Sequence, residues 1–531
     1  MKLVGTVVGT CVIATVLSAC TGSSNKPGAS SSGGKVVRDG TFTLALSADP
    51  GALDPQGSAG SNNFQLAQFG YDDILSEDAK GTIQSALATK WQVNGKTVAL
   101  TIHKGVTCSD GSAFTAADVA ANINYVADAK NKSPLLGAFL PAGAKATADP
   151  GAGTVTITLA APAPFVLNGL TNVPMVCAKG IADRKSLARH TDGTGPYQLT
   201  EAVSGDHYTY TRRSGYTWGP NGAGTDVAGM PSKIVVKIVP NETTAANLLL
   251  SGSLSAATIL GADAQRLAAS HLFVAKVPVI AGEMWFNHTN GRPGSDRAVR
   301  QAMTQALDLS QLARVLTSGH GGPGTSFAAF PPTACPGNSV PAALPAHDLD
   351  KAKQTLDAAG WKVGSGGVRS KNGTPLSMTF IYITAGGAAV SAAAELAAAA
   401  WKQLGVTVTV KSQDANAINA TIFSTGNWDV TWVQLNVSSP DQLVPFLSGP
   451  PAPNGTNFAH INNSAYSALA AKATLLNGTA GCPDWLSAES ELVKAADSIP
   501  FANQVTETFG YHTRFTIASE LVPTSIRMLA G

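Results

Sequence analysis

Charge is scarce in this chain. Only 13 % of its 531 residues are Asp, Glu, Lys or Arg, against about 25 % in an ordinary soluble domain. The 36 basic and 34 acidic residues nearly cancel, leaving +2. That balance excludes the basic surface that holds nucleic acid or a polybasic patch on an anionic membrane. Metal-type spacings are missing as well. There is no C-x-x-C, no H-x-x-H and no H-E-x-x-H, and the nine histidines are scattered, so no metal, haem or other cofactor is expected. No G-x-S-x-G elbow or P-loop occurs, which removes the commonest hydrolase and nucleotide-binding signatures. Paired carboxylates of the glycosidase kind leave no such sequence mark. Beyond the first residues, no apolar run reaches the ~18 residues of a membrane span. Residues 386–404 come nearest, but Glu395 and many alanines make this a helix of a soluble body.

The start of the chain is different. Lys2 provides a positive leader, residues 3–17 are apolar or small, and Leu17-Ser18-Ala19-Cys20 follows. This pattern reads as a signal peptide over 1–19, too short to span a bilayer stably. Its last four residues resemble the bacterial lipobox. The resemblance implies that Cys20 carries a thioether-linked diacylglycerol and becomes the new first residue, while Cys11 leaves with the leader. Residues 20–35 are then the lipidated cysteine and a Gly/Ser-rich tether without large apolar side chains, spanning roughly 20 Å as a random coil. The body is expected outside the cytoplasm, held by lipid at the outer face of the cell membrane.

Four further cysteines remain: Cys108, Cys177, Cys335 and Cys482. An even number in an exported protein points to two disulfides. Three pairings are open. The one favoured here joins Cys108 to Cys177 and Cys335 to Cys482, one in each half.

The body alternates strand and helix signals and is long enough for two to four domains. Thr41–Leu46, Thr154–Leu159, Lys233–Val239 and Val406–Val410 alternate in the manner of half-buried strands. Thr115 to Asp118 forms a capping-box-like start to a helix with Val119, Ile123 and Val126 on one face. Asp296 and Asp348 begin two more helices, the second stopped by Gly360. Lys371-Asn372-Gly373 is a hairpin turn. The result is a mixed α/β body.

Eight blocks in one order carry a more specific resemblance. Leu44 to Pro50 and Leu53-Asp54-Pro55 come first. Leu87-Ala88-Thr89-Lys90-Trp91, Asp110-Gly111 and Thr115–Val119 follow, then Gly193-Thr194-Gly195-Pro196-Tyr197. Phe286-Asn287 with Asp296–Ala302, Asp350–Trp361, Leu404-Gly405-Val406 with Trp428-Asp429-Val430, and Ile499-Pro500 complete the series. Together they resemble the family 5 extracellular solute-binding proteins of ABC transporters, the dipeptide-, oligopeptide- and nickel-binding proteins.

The resemblance implies a two-lobed, periplasmic-binding-protein-like α/β fold of the large cluster with an extra subdomain, a hinge and an interlobe cleft. The first lobe would hold 36–85, an inserted subdomain 86–192, and 193–280. The second lobe would take 281–505, and 506–531 would return to the first. Such a protein is not an enzyme. It would act as a monomer, capture a small solute such as a peptide, close by hinge motion, and dock on membrane permease subunits. A surface sensor or adhesin could use the same fold without transport, and a secreted hydrolase is a more distant alternative.

Candidate ligand-facing residues are Asn63 and Phe64 after the Leu-Asp-Pro turn, Trp285 and Asn287 on a second-lobe strand, and Trp432, Gln434 and Asn436. Phe64 and Trp285 fit a core equally well, Asn63 a turn, and Asn287 the fixing of a strand end. Peptide-binding members of the family pair an acid in the second lobe with the ligand's amino terminus. Aligned on Pro440, that acid falls near Asn436, and Ser439 stands where an Asp precedes the proline. An amide does not neutralise an ammonium, and a buried unpaired charge costs about 2–5 kcal/mol. The resemblance therefore implies a ligand uncharged at that end, modified, or not a peptide, unless Asp429 or Asp441 turns inward.

Overall fold

The computed structural model describes residues 35–531 apart from 59, 385, 386 and 477. The expected signal peptide, Cys20 and residues 20–34 of the tether lie outside the described residues.

Alternation places Phe42, Leu44 and Leu46 of strand Thr41–Leu46 inward. That strand pairs in parallel with Lys233–Ile238, which continues antiparallel to His207–Arg212 and then Tyr197–Val203. Two long strands carry this sheet into the other half of the molecule. Phe273–Phe286 and Ser498–Gly510 run antiparallel from the pair Phe273/Gly510 to the pair Trp285/Ser498. At one end, Ser498–Gly510 pairs with Ala256–Ile259 of the first half. At the other end, Phe273–Phe286 pairs with Val430–Trp432, followed in parallel by Ser377–Ile383 and Thr407–Gln413. The register shifts between Ile280 and Gly282 and again between Gly282 and Glu283. Glycine is required there, since a Cβ at 282 would lie 2.5 Å from the Phe501 ring.

A separate antiparallel sheet has the order Ala88–Asn94, Thr97–Ile102, Thr154–Thr158, Lys145–Asp149. Helix Ala116–Ala127 covers it with Val119, Ile123 and Val126, all fully buried. The Asp118 carboxylate accepts from the Thr115 backbone N–H (2.7 Å) and hydroxyl (2.8 Å), closing the first turn. Asp296 and Asp348 cap their helices through Ala298 N and Lys351 N. The turn at Asn372-Gly373 has both residues at positive φ and joins Arg369–Lys371 to Thr374–Pro375. Residues 387–403 form a helix whose Ala393, Ala397 and Trp401 are buried.

Three main hydrophobic clusters result. One gathers residues from the first strand, residues 197–236 and the C-terminal segment 515–526. The second belongs to the small sheet and its surroundings, including Leu75 and Trp218. The third runs from Met284 to Ala502. Disulfides join Cys108 to Cys177 and Cys335 to Cys482. The second of these ties the loop before Asn338 to helix Cys482–Lys494. Replacing Cys335 and Cys482 together by alanine is expected to lower stability by about 2–5 kcal/mol. Denaturant unfolding under oxidising conditions checks this, and the variant should lose the sensitivity to reductant that this bridge confers.

Candidate ligand cleft

The strand Val430–Trp432 is short, so its ladder to Phe273–Phe286 ends at the Met284/Trp432 pair. The chain beyond it stays attached to the crossing strand through side chains. Trp285 Nε1 donates to Val433 O (2.8 Å). Leu435 N donates to Glu283 Oε2 (2.8 Å). The Asn436 amide takes Ile280 N at 2.7 Å through Oδ1 and gives Nδ2 to Ile280 O at 3.3 Å. A second loop lines up alongside, with Phe330 N bonded to Val437 O and Ala334 N to Ser438 O. Ser439 then opens a short helical turn, Pro440–Leu443, where its hydroxyl donates to Asp441 (2.5 Å). Burial pushes the Asp441 carboxyl up to about 6.

These segments face the first half of the molecule and touch it. Phe165 is 4 % exposed and belongs to the cluster of the second lobe, although its neighbours Val166 and Leu170 pack in the small-sheet cluster. Such burial stabilises the contact by roughly 1.5–3 kcal/mol. A Cβ on Gly137 would lie 3.2 Å from Pro445, and one on Gly81 would lie 3.4 Å from Pro332. Between Phe139, Phe165, Gly169, Ser439, Asp441 and Gln442 remains a gap of ≈ 20 Å³, room for about one water.

The expected site residues separate into two groups. Phe64 packs edge-on to Phe139, which lines the gap, ring centroids 5.8 Å apart, and Gln434 and Asn436 belong to the segment attached to the crossing strand. The rest do other work. Trp432 is a core residue, packed on Phe380 (4.9 Å) and Phe501 (5.0 Å). It sits on a strand flanked on both sides, and Trp401 from helix Gly387–Gln403 packs on the same Phe380. Trp285 is fully buried against Phe458. Asn287 fixes the strand end through Trp428 O (2.9 Å) and Thr289 N (3.0 Å). Asn63 holds the turn through Ala52 O (2.7 Å). Asp429 is committed to Arg292 (3.0 Å) and Thr379 N (2.7 Å) and does not turn inward.

Residues that the sequence did not single out line the gap from the first half: Phe139, Phe165 and Gly169. Asp72 accounts for the Gly-Thr-Gly-Pro-Tyr segment. Its carboxylate accepts from Tyr216 (2.6 Å), Thr194 (2.9 Å) and Trp218 (3.1 Å). Gly195 is needed because a Cβ there would lie 2.5 Å from the Gly70–Tyr71 peptide. The motif is a packing device at the end of helix Ser61–Gly70.

Two halves thus share one sheet through a pair of crossing strands and meet over an intervening seam. Residues 82–452 match the model of the bacterial extracellular solute-binding proteins, family 5 middle region. The chain belongs to that family, whose members bind solutes and are not catalysts. It is 28 % identical to protein XP55 of Streptomyces lividans over 362 residues, covering 64 % of this chain and 61 % of XP55. It is 25 % identical over 330 residues to the glutathione-binding protein GsiB of Salmonella choleraesuis, covering 60 % of this chain and 62 % of GsiB. The chain thus spans about three fifths of each of these curated relatives. Among solved structures, a substrate binding protein from Microbacterium hydrocarbonoxydans complexed with 4-hydroxybenzoate hydrazide superposes with a TM-score of 0.78 at 25 % identity. That match covers 92 % of this chain and 99 % of the other.

Two outcomes test the local chemistry. Asn436→Asp removes the donor to Ile280 O and sets a carboxylate against that carbonyl. It is expected to cost about 1–3 kcal/mol of stability and to bring no gain in affinity for free-amine peptides, as thermal melts and calorimetry would show. Glu283 is fully buried and pushed up to about 8 by burial, with Glu489 nearby pushed up to about 7. The folded state therefore holds these protons more tightly than the unfolded chain. The contribution of these two groups to stability is fully present in acid and is lost as pH rises from about 4.5 through 8. Glu283→Gln should flatten that decline in pH-dependent denaturation.

Proposed function

We propose that this protein is the extracytoplasmic substrate-binding lipoprotein of an ABC importer. It captures a small peptide or peptide-like solute between its lobes and delivers it to the permease, while the lipid on Cys20 holds it at the membrane. The observation that carries this reading is the crossing-strand pair, broken in register at Ile280–Glu283, with two lobe surfaces meeting beside it. A bulged ladder is a natural place for hinge motion. Family membership supports solute capture. The names of two relatives point to small polar cargo: glutathione for GsiB, and a hydroxybenzoate hydrazide in the Microbacterium complex. The lobe boundaries proposed are 36–85, 86–192 and 193–280 for the first lobe with its subdomain, 281–505 for the second, and 506–531 for the return. The separate hydrophobic clusters support this division.

Native mass spectrometry of the protein purified from its own host should find a retained solute. Adding that solute to stripped protein should reduce the radius of gyration in solution scattering. A solute that binds without compaction, or none that binds at all, would overturn the trap. For the anchor, Cys20→Ala is expected to release the protein into the medium with its solute affinity unchanged. Cell fractionation followed by calorimetry checks both halves of that statement.

A further inference from the structure

The inserted subdomain presents one aromatic ring to the opposite lobe. After strand Thr154–Thr158, the segment Ala161-Pro162-Ala163-Pro164-Phe165 leads into the short helix Val166–Gly169. Its two prolines fix φ and leave this approach little freedom. Gly169 N donates to Phe165 O at 3.0 Å. Val166 and Leu170 are buried in the small-sheet cluster and anchor the turn from below. Asn168 Nδ2 donates to Glu77 Oε1 at 2.8 Å and ties the turn to strand Leu75–Glu77. A Cβ on Gly169 would collide with Phe139 O, so the turn packs directly on the backbone there. The ring is thus held in place by its own subdomain.

What the ring meets is the second lobe. Phe165 is buried and belongs to the second-lobe cluster, although the residues that follow it do not. It lines the gap of ≈ 20 Å³ together with Ser439, Asp441 and Gln442, so about one water fits between the facing surfaces. The same rim of the subdomain makes a second contact. A Cβ on Gly137 would lie 3.2 Å from Pro445 Cγ and 3.7 Å from its Cβ. On the second lobe, Asp441, Gln442 and Pro445 lie on the consecutive turns Pro440–Leu443 and Val444–Leu447. Leu443 and Leu447 root these turns in the second-lobe cluster. The seat is therefore as well anchored as the ring. Protein supplies both sides of the contact, so it favours closure with or without cargo.

We propose that Phe165 is a latch: the inserted subdomain seats this ring in the second lobe, so that part of the closing is built into the protein and the solute supplies the remainder. This inference rests on the solute-trap reading and gives the inserted subdomain a role in it. Burial of a phenylalanine ring shifts an equilibrium roughly ten- to hundredfold. A fraction of the protein is therefore closed before solute arrives, and the solute has less of the rearrangement to drive. The ring is already positioned by its own subdomain, so its docking loses little conformational entropy. Release of solute requires the ring to leave its seat, which slows dissociation. Phe165 thus sets affinity through the position of the lobes and not through contact with the solute.

The test uses the full chain, stripped by unfolding and refolding with its disulfides intact and confirmed empty by mass spectrometry. Phe165→Ala should keep the native circular dichroism spectrum and should raise the radius of gyration of the empty protein in solution scattering. A cross-link gives a second readout. The pair Gly137→Cys and Pro445→Cys sets two Cβ atoms 3.7 Å apart, within the roughly 3.5–4.5 Å that a disulfide spans. Gly137 has a φ of 86°, so the cysteine there is strained, equally with and without the ring. Under mild oxidation this bridge should form about tenfold more slowly once Phe165→Ala is added. Phe165→Leu keeps apolar bulk and should fall between the two; it carries the comparison where the alanine variant does not fold. An unchanged radius, or an unchanged cross-linking rate, would overturn the latch. Weaker solute binding with an unchanged radius would do so too, and would make the ring a cleft wall. The solute found on the host-purified protein separates this failure from that of the trap. If it compacts the native protein and Phe165→Ala alike, from the same starting radius, the trap stands without the latch. With the latch, it should compact Phe165→Ala further, because more of that variant is open. If it compacts neither while Phe165→Ala still opens the empty protein, the trap falls and the lobe contact stands.

Discussion

The pairing of Phe273–Phe286 with Ser498–Gly510 is the interaction on which the rest depends. Each strand belongs to both lobes, so neither lobe has a complete sheet without it. The break in register at Gly282 lies where the pair leaves one lobe for the other. Only a residue without a side chain fits against Phe501 there. The ladder is therefore continuous enough to hold the lobes together and irregular at one point where it can bend.

The attached segment 433–438 extends this logic. Once the strand Val430–Trp432 ends, the peptide groups of Ile280 have no backbone partner on that side. The Asn436 amide supplies one donor and one acceptor, which is what a neighbouring strand would have offered. Glu283 and Trp285 do the same for Leu435 and Val433. The wall of the second lobe is thus bonded directly to the bending point. A change in the angle of the crossing strands moves that wall as a body.

Much of the fold was legible in the sequence because it rests on local rules. Period-two alternation marked Thr41–Leu46, and Asp118, Asp296 and Asp348 marked helix starts. The order of the family blocks gave the topology that these rules could not. The site was less legible. By sequence Trp432 fits a cleft wall and Trp285 a cleft or a core equally, yet both lie on strands covered on two faces, and one sequence does not say which face a helix will cover. Asn436 fits a ligand-facing position by its place before Pro440, but its side chain turns back to Ile280 of the crossing strand because the neighbouring strand stops early. Phe165 lies in Ala-Pro-Ala-Pro-Phe, a segment with no periodicity, and its entry into the other lobe's core is a purely tertiary event.

That entry has a thermal consequence. An aromatic ring moved from water into an apolar core on closure carries a negative heat-capacity change. Its driving force near ambient temperature is largely entropic and weakens on cooling. The closed form would then owe less to Phe165 in a cold environment and more to the polar contacts of the bound solute. The proposed trap would then be most nearly self-closing when warm, and most dependent on cargo when cold.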